Sequence, residues 1–179
     1  MDTGLVYVYQ AIRRSKENEK AGPGTRSFIT RVSSESDPEQ SLFWETQKYP
    51  GVWRIYRSVN RRSLLKAETM MAKVMMDRAL ERTAGTLNSN LSIETLWRKT
   101  LMNPENKSEN FFMVDVDTKG RPMNNQVIEK IGLDKIHEAK ETPNGWHYIC
   151  DKFDTRIFQS WLEVSISIYM KLLYLEISY

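Results

Sequence analysis

Residues 111–117, Phe-Phe-Met-Val-Asp-Val-Asp, carry an apolar run into two aspartates at alternate positions, Asp115 and Asp117. Strand side chains repeat every two residues, so Phe111, Met113, Asp115 and Asp117 share one face if this run is a strand. Two carboxylates on one face at the end of a buried strand repel each other and lose solvation. A hard divalent cation, Mg²⁺ or Mn²⁺, relieves both costs. The same residues also suit a strand running out into an acidic turn, because Asp117-Thr118-Lys119-Gly120 is good turn chemistry. Both readings of the strand's end stay open at this point.

Around this strand the chain alternates short extended segments with helical ones. Leu5–Ile12, Ser27–Ser33 and Gly51–Val59 are rich in β-branched and aromatic residues and predict strands. The charged and then Gly/Pro-rich stretch 15–27 and the segment 34–41 predict loops. From Asn60 a helix is expected, because Leu64, Ala67, Met71, Met75 and Ala79 recur at helical spacing, widened by Met70, Val74 and Leu80. Those methionines read as core filler rather than a ligand box. Gly85 and Asn88-Ser89-Asn90 end that helix. Leu91–Met102 predicts a second helix, capped by Asn90 or Ser92, and Asn103–Asn110 a loop. Asn124–Ile131 predicts a third, stopped by Gly132. Strands follow at Lys135–Lys140 and Trp146–Cys150, then a short helix at Thr155–Trp161, and one or two closing strands in Leu162–Tyr179. This order implies an α+β domain with a mainly antiparallel sheet. No repeat or linker divides the 179 residues, so one domain is expected, with strands and loops to residue 50 and a core from 51 to 179.

Composition narrows the class further. Charged residues make up 27% and hydrophobic ones 40%, which suits a globular chain with a core and not a disordered one. A single cysteine, Cys150, excludes an internal disulfide and a cysteine-rich zinc site. The start, Met-Asp-Thr-Gly, has an acid where a signal peptide needs bases, and no run reaches the length of a membrane span; an intracellular, cytoplasmic protein without membrane contact is expected. Residues 1–66 hold 12 Lys+Arg against 7 Asp+Glu, and the rest hold 14 against 16. A basic first third and an acidic remainder fit a protein that grips phosphates on one side and metal on the other.

Lys140-Glu-Thr-Pro-Asn-Gly-Trp-His147 is the other chemistry-bearing stretch. Pro-Asn-Gly between two apolar segments predicts a hairpin turn. The turn gathers Lys140, Thr142, backbone N–H groups and His147, a set able to hold a phosphate. A plain hairpin with a half-exposed histidine explains the same residues.

The order of the two motifs resembles the archaeo-eukaryotic primase superfamily. Phe112-Met113-Val114-Asp115-Val116-Asp117 is similar to its first motif, and Thr142-Pro143-Asn144-Gly145-Trp146-His147 to its second. Trp53-Arg54-Ile55-Tyr56-Arg57-Ser58-Val59-Asn60-Arg61-Arg62 also resembles the segment before the first catalytic strand in small phage primase-polymerases. The resemblance covers about residues 50–175. It implies an RRM-like catalytic core that adds nucleotides by metal-dependent phosphoryl transfer. Asp115 and Asp117 would hold Mg²⁺ or Mn²⁺. His147, Thr142, Asn144 and Lys140 would hold the triphosphate, and Arg54, Arg57, Arg61 and Arg62 the phosphates of nucleotide or of a DNA or RNA template. The family's third motif, a further acid, falls by position in Leu162–Ser167, where Glu163 is the only acid. That departure keeps a second expectation in place: an inactive relative that binds nucleotide or nucleic acid, or a phage protein that blocks a host protein. An unrelated metal-dependent phosphohydrolase or nuclease is the third.

Overall fold

The computed structural model describes residues 4–13, 28–33, 39–49, 51–87, 91–118, 121–142, 145–161, 164–167 and 172–177. The fold is α+β, as the element order implies, but it has two antiparallel sheets where the sequence suggested one. The first sheet contains β1 (Leu5–Ile12), β2 (Phe28–Ser33), β3 (Trp53–Ser58), the two-residue β4 (Arg62–Ser63) and β9 (Leu172–Ile177), in the order β2-β1-β3-β9 with β4 also on β1. The second contains β5 (Phe112–Val116), β6 (Ile136–Thr142), β7 (Gly145–Cys150) and β8 (Val164–Ser167), in the order β6-β7-β5-β8. The final strand thus returns to the N-terminal sheet.

Alternation along β1 explains how the first sheet is covered. Tyr9 and Ala11 point to one face, where they pack with Ile29, Trp53, Ile55 and Leu42 of helix α1 (Glu39–Thr46). Val8 points to the other, against Ala67 of α2 (Leu64–Thr83) and Leu101 of α3 (Ile93–Leu101). Helix α1 was not expected from the sequence. At eight residues it is too short to persist alone, and the burial of Leu42 against the sheet supports it.

Helix α2 begins later than expected, at Leu64, with the Ser63 hydroxyl accepting a hydrogen bond from the Lys66 amide. Its methionine stripe is only partly core. Met70 and Met71 lie half-buried near Asn106 and Thr100, whereas Met75 and Leu80 are 39% and 63% exposed. Helical periodicity selects a face but not how far a neighbour extends along it, and a 20-residue helix runs for about 30 Å. Helix α3 is capped by Ser92, whose hydroxyl accepts from the Thr95 amide.

The second sheet is apolar on one face. Phe112, Val114 and Val116 of β5 join Tyr148 and Cys150 of β7, Val164 of β8, Phe158, and Val127 and Ile131 of helix α4 (Arg121–Ile131). Gly132, with φ of 91°, ends α4 as expected. Residues 155–158 form one 3₁₀ turn rather than a longer helix.

The two sheets are strapped together at the segment after β3. The Asn60 side chain donates to the Phe111 carbonyl at 3.1 Å and accepts from the Phe111 amide at 2.7 Å, as a neighbouring strand would. Arg61 is held by Glu109, and Arg62 forms an antiparallel bridge with Lys107. Val59 packs on Met113 and Ile149. Among the described residues no helix is long and apolar enough to cross a membrane.

Candidate active site

Register assembles the site. Lys140 of β6 lies opposite His147 of β7, His147 opposite Asp115 of β5, and Asp115 opposite Ser165 of β8. Residues paired across antiparallel strands share a face, so these four positions form one row across the sheet. The row lies on the face opposite α4. His147 Nε2 is 3.1 Å from Asp115 Oδ1, and the two side chains are only 8% and 13% exposed. Among the described residues, the buried His147 Nδ1 has no hydrogen-bond partner. The resemblance gives this histidine to phosphates; in the fold its Nε2 lies beside the Asp115 carboxylate.

Asp117 lies one residue beyond the end of β5 and is exposed. The two aspartates therefore occupy a strand end and the loop just after it, not one continuous strand. Among the described residues no group of three or more His, Cys, Asp or Glu is arranged to hold a metal ion. Glu163 and Asn144 lie outside the described residues. The position opposite Asp115 on β8 belongs to Ser165. Asp115 and Asp117 are the right ligand type for Mg²⁺ or Mn²⁺, which take few protein carboxylates and complete their shell with water and substrate oxygens.

The hairpin expected at 142–145 is present. The Thr142 hydroxyl accepts from the Gly145 amide at 3.1 Å, which closes the turn and uses one of the N–H groups read as a phosphate donor. Lys140 is half-buried beside His147.

The four arginines have different fates. Arg57 reaches from the first sheet to the second: its Nη2 is 2.5 Å from Glu138 Oε2, and its guanidinium stacks on Tyr7 at 4.7 Å. Glu138 is two residues before Lys140 on β6, which brings Arg57 to the side of the row. Arg54, on the opposite face of β3, is half-buried opposite Glu176 of β9. Arg61 donates from Nε and from its backbone N to the Glu109 carboxylate, at 2.6 and 3.0 Å. Arg62 is fully buried, with Nη1 donating to the Asn103 carbonyl, and burial lowers its guanidinium to about 10. Arg61 and Arg62 therefore work as the strap, where the resemblance implies phosphate contacts. Glu138, Glu109 and Tyr7 were missed because their partners are remote in sequence. Only Glu138 had a visible signal, its period-two relation to Lys140.

Cys150 sits in the core, away from the candidate site. It is fully buried on the apolar face, and burial, with a smaller effect from Asp151, pushes its thiol up to about 12. The native protein should not react with iodoacetamide at pH 8 but should react once unfolded. The folded value lies above the ordinary 9.0, so this group's stabilisation is complete below pH 9 and is lost as pH rises towards 12. Across that window Cys150→Ala should remove up to about 1.4 kcal/mol per pH unit of the alkaline decline, measured by urea denaturation.

No family model matches the chain, and neither does any curated protein sequence or solved structure.

Proposed function

We propose that this chain is a primase-polymerase-like nucleotidyltransferase core, with the second sheet as its catalytic platform. One observation carries the reading: Asp115 and His147, taken from two separate short motifs, meet at 3.1 Å in adjacent strands. The succession β5, α4, β6, β7, 3₁₀ turn, β8 also supports it. The first strand is central and the sheet order is the one expected of an RRM-like core, with a 3₁₀ turn where such a core carries its second helix. Asp115 and Asp117 would hold Mg²⁺ or Mn²⁺. The metal's chemistry would be to stabilise charge developing on the transferred phosphoryl group. Lys140 and Arg57 would bind the triphosphate, and His147 would keep the Asp115 carboxylate turned for its task.

The test is incorporation of labelled nucleotide on primed and unprimed templates with Mn²⁺. Asp115→Asn should reduce incorporation by about 10³-fold or more, since a lost ligand removes several kcal/mol of charge stabilisation. His147→Ala should weaken metal affinity by about 10–100-fold, the usual effect of losing a ligand's orienting partner. Wild-type protein that incorporates nothing, yet binds nucleotide, would move the assignment to the second reading, a binding relative without catalysis. Ser165 favours that reading, because it stands opposite Asp115 where a third acid would add charge.

A further inference from the structure

At the other end of β5, on the opposite face of the sheet, lies a cavity of about 450 Å³. Phe112 and Phe153, whose rings meet edge to face at 5.9 Å, line it. Lys107, Lys152, Asn110, Asp154 and Thr155 complete its lining. Phe112 and Asp115 are three residues apart, about 10 Å along a strand, and their side chains leave the sheet on opposite sides. This cavity is therefore separate from the Asp115–His147 row.

Its charge is one-sided. Asp151 and Asp154 flank Lys152 in sequence, but each is engaged elsewhere. Asp151 Oδ1 is 2.8 Å from His137 Nε2. Asp154, on the cavity wall, accepts from Arg156 through both carboxylate oxygens, at 2.6 to 3.1 Å, and also caps the Arg156 amide. Glu109, two residues from Lys107, is taken by Arg61. Among the described residues neither lysine pairs with an acid. The backbone under Lys107 is held by its bridge to Arg62 and by its amide's hydrogen bond to the Pro104 carbonyl, so the charge is mounted on a fixed support.

We propose that this cavity binds a planar aromatic group carrying a phosphate, a nucleoside monophosphate being the soluble compound class of that chemistry. Two unpaired ammonium groups suit a dianionic phosphate, and the Phe153 ring suits the base. Asn110 and Thr155 supply hydrogen bonds to polar edges. The volume lies within the roughly 300–1,000 Å³ of small-molecule sites.

The experiment titrates the full chain with AMP, adenosine and inorganic phosphate in EDTA, which silences any metal-dependent site, and follows backbone amides by NMR. AMP should bind at least about tenfold more tightly than adenosine or phosphate, with shifts at residues 107, 110 and 152–155. The double variant Lys107→Ala/Lys152→Ala should lose at least about tenfold in AMP affinity, since both charge-assisted contacts go. Asp115→Asn should leave AMP binding unchanged, so failure here and failure of the catalytic reading give different results. Phe153→Leu should weaken AMP and adenosine alike, and phosphate not at all. AMP binding no tighter than phosphate, affinity unchanged in the double lysine variant, or loss of binding in Asp115→Asn would each overturn the proposal.

Discussion

Gly145→Ala is expected to cost stability at or above the upper end of the roughly 1–3 kcal/mol usual for overpacking. A Cβ at this position would lie 1.7 Å from the Val116 carbonyl oxygen and 2.8 Å from the Thr118 amide nitrogen. Both are backbone atoms, so no side-chain rotation can make room. The hairpin must lift away from the end of β5, and that movement separates the strands carrying His147 and Asp115. A urea midpoint close to that of wild type would show that Val116 does not approach Gly145 as described. From the sequence, the glycine in this turn is expected only as part of a Pro-Asn-Gly hairpin. The fold requires it for a different reason, the close passage of β5.

Asn60→Ala should have the next largest effect. Asn60 is 5% exposed, and its amide group satisfies both backbone groups of Phe111. Truncation leaves a half-buried N–H and a half-buried carbonyl without this partner; a fully buried group would cost about 1–3 kcal/mol, so a loss of roughly 2 kcal/mol is expected. The variant should also loosen the first sheet against the second, read as faster amide exchange at residues 111–113. A stability change below about 0.5 kcal/mol, the level of an ordinary surface substitution, would contradict the strap.

These two positions show how differently local and remote determinants were legible. Leu5–Ile12 was read as a strand with the same limits the structure shows, because dense β-branched and aromatic residues act locally. Ser92 and Gly132 were read as helix boundaries because capping and left-handed backbone are also local. The strands of the candidate site were visible for the same reason, and so was the hairpin between residues 142 and 145. Helix α1 was not, because its support is Leu42 packing on a sheet assembled from distant strands. The outer half of α2 was misjudged as core because an apolar stripe carries no information on where its partner surface ends.

By itself the sequence determined the α+β class, most strands and caps, and the residues able to do chemistry: Asp115, Asp117, Lys140, Thr142 and His147. Tertiary structure alone decided their combination. Backbone pairing set Asp115 against His147 and Ser165, moved β9 to the N-terminal sheet, and divided the strands between two sheets. It also separated the arginines, sending Arg57 to Glu138 and burying Arg62 while Arg61 went to Glu109. Charge and periodicity depend on neighbours along the chain, whereas ion pairs and register depend on which strand lies alongside, and in the Arg57–Glu138 ion pair that partner is 81 residues away.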